Sequence, residues 1–371
     1  MQAILAVTVP FFALVLCGWL AARQRVLPES AIPGLNAYVL YFALPCLLMR
    51  FGMSMPLADL LNPWLLLVYL LCALMVVGFT VAVSLNPRVG LRDASFGALV
   101  AAFPNTGFMG VPLLAALLGP AAAGPVICSI LADLFVTSSL CIALSQWQAQ
   151  PASQPVARVD PPRDPQHDPQ PALIPAQIPD LQPAPITPRI PAPIAAPIAA
   201  PHGARTAALR ALRGALSNPL PWSIAVGAVL SATQWRLWGP ADTVVRMLAD
   251  SASPVALFAI GAVLWRAGVH AHTRTAVADY LPVALIKLLL HPLLVLGVGS
   301  AARALGAPLS AFELMVLTLA AALPSASSVA LLTERYGADT GRVTRIIMAS
   351  TVLAVGSFSG LAWVFGVRPA G

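Results

Sequence analysis

Apolar residues fall in long runs along the chain, and short polar segments separate these runs. A helix needs about 20 predominantly apolar residues to cross the hydrocarbon core of a bilayer. Ten runs meet this requirement, at roughly 3–22, 34–52, 63–85, 94–118, 122–146, 214–233, 251–267, 279–302, 312–334 and 343–366. The pattern therefore predicts an all-α membrane protein with ten transmembrane helices.

Proline and polar residues interrupt two of these runs, the fourth and the ninth. One break begins at Pro104 and the other at Pro324. In lipid, a backbone that leaves the helix exposes groups that water cannot reach, which costs several kcal/mol per unpaired group. Breaks at corresponding places in two halves of a chain are the best sequence indication of a transporter's binding site. The two breaks therefore predict a secondary transporter.

The breaks carry groups that suit a carboxylate. A helix that restarts after Asn105 presents unpaired N–H groups and the positive end of its dipole. Asn105 adds an amide, Thr106 a hydroxyl, and the second break adds serine hydroxyls. The alternative is a pair of structural kinks whose freed carbonyls are satisfied by neighbouring helices. We favour a substrate site formed by Pro104, Asn105, Thr106, Gly107, Pro324, Ser325 and Ser328.

Composition supports the membrane assignment. Hydrophobic residues make up 58% of the 371 residues, charged residues only 9%, and the mean hydropathy is +0.82. A soluble domain carries about 25% charged residues. The net charge of +7 does not indicate nucleic acid, because the basic residues lie in short loops between apolar runs.

The distribution of basic residues predicts the orientation. If the N-terminus lies outside, 15 arginines fall on inside loops and 5 on outside segments, and Lys287 lies within a run. Cytoplasmic loops are enriched in Lys and Arg. Both termini are therefore expected outside, in a protein of the bacterial cytoplasmic membrane. No Lys or Arg precedes the first run, which argues against a cleaved signal peptide.

A proline-rich segment at 148–210 divides five runs from five. Proline fixes φ and removes backbone donors, so we interpret this segment as a disordered cytoplasmic loop rather than a partner-docking element. An odd number of helices on each side inverts the second half relative to the first. The sequence thus predicts two inverted five-helix repeats, at 1–147 and 211–371.

Asp133 and Lys287 lie well inside predicted helices, where ionisable residues are functional candidates by default. Asp133 is expected either to carry a coupling proton or cation, or to be hydrogen-bonded to neighbouring helices. Lys287 is the only lysine. It could attract an anionic substrate or pair with Asp133, or it could extend to the cytoplasmic surface, which we favour. We interpret His291, one turn later, as structural.

The sequence lacks the motifs of several classes of ATPase, hydrolase and metalloprotein. No P-loop, HExxH or GxSxG pattern is present, so ATP-driven transport and hydrolysis are not expected. No clustered His or Cys suggests a metal, and no cofactor is expected. The chain is therefore not expected to be an enzyme.

Four segments together resemble the auxin efflux carrier family of the bile acid/sodium symporter superfamily. They are Val7–Phe12, the run from Asn36 to Pro45, the break from Phe103 to Pro112, and Leu323-Pro324. The resemblance implies two inverted repeats whose broken helices, the fourth and ninth, cross. It also implies a scaffold domain, elevator-type alternating access, small carboxylates as substrates, and homodimers formed through the scaffold.

The chain departs from the family pattern at Ser328. Bacterial members often carry asparagine at that position. The resemblance therefore does not define which residues of the second half contact the substrate. Our leading hypothesis is a carrier for a small organic anion in the lipid bilayer. The alternatives are a sodium- or proton-coupled symporter that uses Asp133, and a solute-sensing receptor that signals through the central loop.

Overall fold

The computed structural model describes residues 1–54, 62–147, 219–269 and 275–368, and all their regular elements are helices. No strand forms among these residues, although two isolated β-bridges do. The helices are α1 (Gln2–Arg23), α2 (Glu29–Ser54), α3 (Pro63–Ser84), α4 (Leu91–Ala102), α5 (Thr106–Leu118), α6 (Pro120–Trp147), α7 (Pro219–Ala232), α8 (Gly239–Val269), α9 (Val277–Ala304), α10 (Ala311–Ala321), α11 (Ser328–Tyr336) and α12 (Thr340–Val364).

Seven helices of the described chain are long and apolar enough to cross a membrane, namely α1, α2, α3, α6, α8, α9 and α12. The remaining predicted runs correspond to shorter helices. The fourth run is divided between α4 and α5, and the ninth between α10 and α11. Helix α7 covers most of the sixth run, whose first residues, like the loop at 148–210, lie outside the described residues. Ten transmembrane helices remain a prediction.

The predicted start of the seventh run was wrong. Helix α8 begins at Gly239, 12 residues before 251, and continues through Pro254 without a break. Ser251, Ser253 and Pro254 dilute the apolar pattern at the predicted start of this run. A helix can extend beyond the hydrocarbon layer, where polar side chains meet water, so hydropathy alone does not locate its end.

Helices α1 and α8 pack with their backbones in contact. A Cβ atom added at Gly18 would lie 1.8 Å from the Phe258 carbonyl oxygen, and one added at Gly261 would lie 1.9 Å from the Val15 carbonyl oxygen. Small residues allow such close approach between membrane helices, where packing rather than the hydrophobic effect drives association. Neither position can therefore accept a side chain unless the two helices separate.

Helices α2 and α7 form a second pair with the same geometry. A Cβ atom at Gly227 would lie 2.2 Å from the Met49 carbonyl oxygen, and one at Gly52 would lie 2.8 Å from the Ile224 carbonyl oxygen. In both pairs, each glycine faces the carbonyl located three residues before the partner's glycine. The first half of the chain thus meets the second half twice through one reciprocal arrangement.

The other helices pack on one another, and Arg342 joins several of their ends. Its side chain is buried and donates to the Asp279 carbonyl at 2.8 Å, the Asp93 carbonyl at 3.0 Å and Ser84 Oγ at 3.4 Å. Gly97 provides the space, since a Cβ atom there would lie 2.8 Å from Arg342 Nη1. One guanidinium therefore holds together α3, α4, α9 and α12, which come from both halves of the chain.

Candidate functional site

The two proline breaks meet in the interior of the protein. The Asn105 N–H donates to the Pro324 carbonyl at 2.8 Å, and the Ala326 N–H donates to the Phe103 carbonyl at 3.0 Å. These bonds form an antiparallel bridge between Pro104 and Ser325. The backbone groups freed by each break are thus partly satisfied by the other, which allows both helices to be broken in an apolar environment.

Helix α5 restarts at Thr106 in a π-helical turn, Thr106–Gly110. The Met109 and Gly110 N–H groups both donate to the Asn105 carbonyl, at 3.1 and 3.0 Å. Gly110 is needed for packing, because a Cβ atom there would lie 2.7 Å from Leu323 Cδ1. Around Gly107, in contrast, nothing lies within 4 Å of an added Cβ atom. The start of α5 therefore faces open space at Gly107.

Both restarted helices lack a side-chain cap. Neither Asn105 before α5 nor Ser327 before α11 makes a capping side-chain hydrogen bond. The Thr106 and Ser325 hydroxyl oxygens are buried and have no hydrogen-bond partner in the part of the chain that the structure describes. Buried polar atoms are normally hydrogen-bonded. The crossing therefore concentrates unused hydrogen-bonding capacity beside two positive helix ends.

A recess opens beside the crossing. Five of its lining residues were predicted from the sequence: Pro104, Asn105, Thr106, Gly107 and Ser328. The rest of the lining consists of Phe103, Phe108, Ile130, Leu134, Leu220 and Ala326. The predicted residues Pro324 and Ser325 do not line it; Pro324 accepts the Asn105 bond, and the Ser325 N–H donates to Ser350 Oγ at 3.2 Å.

The apolar part of the lining was not predicted. Ile130 and Leu134 come from α6, and Leu220 comes from α7 across the central loop. Nothing in the sequence distinguishes these residues from the many other apolar residues that face lipid or core. The spacing of Ile130 and Leu134, four residues apart, places them on one helix face, but only the fold shows which helix that face meets.

The expectation that Lys287 extends to the cytoplasmic surface was wrong. Its side chain is fully buried. Lys287 Nζ donates to the Ala321 carbonyl at 2.9 Å and lies 3.1 Å from His291 Nδ1. Ala321 ends α10 just before the second break, so the ammonium group lies at the negative end of that helix dipole. A buried helix end needs a partner, and Lys287 supplies it.

Asp133 is also fully buried, within α6. Tyr69 Oη donates to Asp133 Oδ2 at 2.8 Å, whereas Asp133 Oδ1 has no hydrogen-bond partner among the described residues. The neighbouring residue Leu134 lines the recess. No direct ion pair joins Asp133 and Lys287 in the described structure. Tyr69 lies between them: it donates to Asp133, and its ring packs against that of His291, whose Nδ1 lies 3.1 Å from Lys287 Nζ. Asp133 and Lys287 are therefore brought near one another without contact.

Several candidate residues lie on π-helical turns. Asp133 begins the turn Asp133–Thr137, Lys287 lies in Ile286–Leu290, and Thr106 begins Thr106–Gly110. Such turns are rare and occur frequently at functional sites. The sequence did not predict any of these turns. A π turn differs from an α turn only in that each N–H bonds to the carbonyl five residues earlier instead of four, and this change leaves no clear pattern in the sequence.

Comparison with known proteins identifies the family of this chain. Residues 3–361 match the family described as "Membrane transport protein". The chain belongs to this auxin efflux carrier-type family. Family membership confirms the resemblance seen in the sequence motifs and the assignment as a transmembrane transport protein.

One relative of this chain is a protein of Rhizobium meliloti (strain 1021) that is described as a "Putative malonate transporter". It is 25% identical over 373 residues, and the alignment covers 100% of this chain and 99% of the relative. The similarity therefore extends across both breaks.

Proposed function

We propose that this protein is a secondary carrier for a small organic anion, specifically a short carboxylate. The observation that carries the proposal is the convergence of two uncapped helix N-termini and unpartnered hydroxyls beside a recess at the crossing. Helix N-termini bind anions through their free N–H groups and the positive end of the dipole. The description of the R. meliloti relative makes malonate the first substrate to test.

The recess has a polar wall that would bind the carboxylate of such a substrate and an apolar wall that would contact its carbon chain. Asn105, Thr106 and Ser328 offer an amide and two hydroxyls to a carboxylate. Phe103 and Leu134 offer apolar surface to the carbon chain. Among the described residues that line the recess there is no Lys or Arg, so dipoles and hydroxyls would supply the contacts to the anion from this part of the chain. Weak, neutral recognition suits a carrier, which must also release its substrate.

The same proposal includes an inverted-repeat architecture with ten membrane helices. The reciprocal glycine contacts support it, because Gly18 and Gly227 occupy equivalent places in their pairs, as do Gly52 and Gly261. The antiparallel meeting of the two breaks supports it as well. In this proposal α1, α2, α7 and α8 form a scaffold, and the other helices move as an elevator across the bilayer. Both termini would lie outside the cytoplasm, and dimers would form through the scaffold.

Ligand-dependent stabilisation of the purified protein tests the binding site. The melting temperature would be measured with mono- and dicarboxylates, malonate first, for the wild type and for Asn105→Ala. A ligand that binds only the folded state stabilises it by about 2.7 kcal/mol at a hundred times its Kd. We expect a shift with malonate that is lost in Asn105→Ala and retained in Asn36→Ala, a matched change in α2 outside the recess. Equal shifts in all three proteins would place the anion elsewhere.

Flux measurements separate a carrier from a receptor. Proteoliposomes loaded with unlabelled malonate should take up labelled malonate by exchange, and Asn105→Ala should reduce this exchange at least tenfold. Binding without exchange would contradict the carrier function and favour a solute-sensing receptor.

A further inference from the structure

A second polar cluster lies deep in the protein, apart from the recess. We call it the Asp133 cluster and define it as Tyr69, Asp133, Thr137, Lys287 and His291. All five side chains are fully buried. The first three come from the first half of the chain, on α3 and α6, and the last two from α9 in the second half. The Tyr69 and His291 rings connect the two groups, with their centroids 5.6 Å apart.

The hydrogen bonds of this cluster are incomplete. Asp133 Oδ1, Thr137 Oγ1 and His291 Nε2 are buried without a hydrogen-bond partner in the described residues. An ionised carboxylate can accept about four hydrogen bonds, but here only Tyr69 donates to it. Burial of a charge with so few partners is unfavourable. The Thr137 hydroxyl, four residues later on α6, could donate to an ionised Asp133 or accept from a protonated one. The pair can therefore hold the carboxyl group in either protonation state.

The Asp133 cluster is linked both to the recess and to the second break. Asp133 precedes Leu134, which lines the recess, and Lys287 Nζ bonds to Ala321, the last residue of α10 before the second break. An anion in the recess would therefore lie against α6, the helix that carries Asp133. In a low-dielectric interior, that anion would repel an ionised Asp133 and favour its protonated form.

We propose that Asp133 binds the proton that moves together with the substrate anion, with Lys287 and His291 as its fixed charge environment. This inference rests on the proposed carrier function and names its coupling ion. The proton comes from water on the side where substrate enters and returns to water on the other side. No bond other than the O–H bond of the Asp133 carboxyl forms or breaks.

A proton fits this cluster better than a sodium ion. The titratable groups around the Asp133–Tyr69 pair are Cys72 on α3, Cys141 on α6, and Lys287 and His291 on α9. Hard cations need about six oxygen ligands, whereas only Asp133 and Thr137 offer unpartnered oxygens here.

Proton-driven accumulation in proteoliposomes tests the proposal. Vesicles with an alkaline lumen, at clamped membrane potential and without sodium, should accumulate labelled malonate several-fold above equilibrium. Asp133→Asn should lose this accumulation but retain malonate exchange at equal pH, because exchange does not require release of the proton. Asp250→Asn, an exposed aspartate on α8, is the matched control and should behave as the wild type.

A second variant keeps the test decisive if Asp133→Asn does not fold. Tyr69→Phe removes only the hydroxyl that donates to the carboxylate. Such a bond favours the ionised form, so its loss should move the half-maximal pH of accumulation upward while exchange continues.

Four outcomes contradict the proposal. They are accumulation retained in Asp133→Asn, a pH profile unchanged in Tyr69→Phe, accumulation driven by sodium alone, and exchange without any pH-driven accumulation in the wild type. The absence of malonate exchange in the wild type would instead contradict the proposed function itself, and the coupling with it.

Discussion

The helices α1, α2, α7 and α8 differ from the remainder of the protein in two features: the number of buried polar residues and the kind of atom that their glycines contact. Of the fully buried polar and charged residues that the structure describes, only Thr8 belongs to these four helices. Their glycines meet backbone atoms of the partner helix, as at Gly18 and Gly261. Elsewhere, close glycine contacts are with side chains, such as Leu323 at Gly110 and Arg342 at Gly97.

This contrast separates a fixed interface from an adaptable one. Backbone-to-backbone contact has no rotamers to change, so it holds two helices in one relative position. Contacts through side chains and buried polar atoms can be rearranged. Some of these polar groups, such as the Thr106 hydroxyl, make no hydrogen bond in the described structure. The four predictions below test the contrast, beginning with the largest expected effect.

Alanine at the backbone contacts should be the most damaging change. Gly18→Ala and Gly261→Ala place a methyl group less than 2 Å from a carbonyl oxygen, so α1 and α8 must separate. We expect each change to lower the free energy of unfolding by about 3 kcal/mol or more, measured by thermal or denaturant unfolding in detergent. Gly78→Ala and Gly356→Ala, where an added methyl group meets nothing within 4 Å, are the controls. Equal losses at all four sites would refute the fixed interface.

Removal of the Arg342 side-chain bonds should have the next largest effect. Arg342→Met deletes three hydrogen bonds that join helix ends, two of them to part-buried carbonyls and one to the buried Ser84 hydroxyl. We expect a loss of about 2–4 kcal/mol. Arg335→Met, at an exposed position on α11, should change stability by less than about 0.5 kcal/mol. Unfolding of both variants in detergent measures the difference, and a small effect at Arg342 would show that packing alone holds these ends.

A bulky residue at Gly107 should block function without unfolding the protein. Gly107 lines the recess, and nothing lies within 4 Å of an added Cβ atom. Gly107→Leu should therefore lower malonate affinity at least tenfold while the melting temperature without ligand changes little. Gly78→Leu, outside the recess, should leave affinity unchanged. Normal binding by Gly107→Leu would show that substrate does not occupy this recess.

Loss of one unpartnered hydroxyl should have the smallest effect on stability. Because Ser325 Oγ makes no hydrogen bond in the described structure, Ser325→Ala should leave stability unchanged or raise it by up to about 1 kcal/mol. Because Ser325 does not line the recess, malonate affinity should change little. Ser350→Ala instead removes a partner of the Ser325 N–H and should lower stability by about 1 kcal/mol. Calorimetry of both variants, with and without malonate, compares these effects.

Local features of the sequence predicted the helical breaks and several residues that line the recess. Proline and the polar residues after it located both breaks, because their effect on a helix acts within a few residues. Five residues near these breaks line the recess as a result. Lys287 shows the limit of this reasoning: its position eight residues into a helix was compatible with the surface, but its partner, the Ala321 carbonyl, lies 34 residues away.

The sequence by itself determined the membrane class, the places where helices break and the family, since each depends on composition or on short motifs. The tertiary structure alone decided which residues meet. It paired Asn105 with Pro324, set Gly18 against the Phe258 carbonyl, and brought Leu220 to the recess. Hydropathy gives each residue a preference for burial but assigns it no partner. Contacts between residues some 200 positions apart depend on the three-dimensional packing of whole helices.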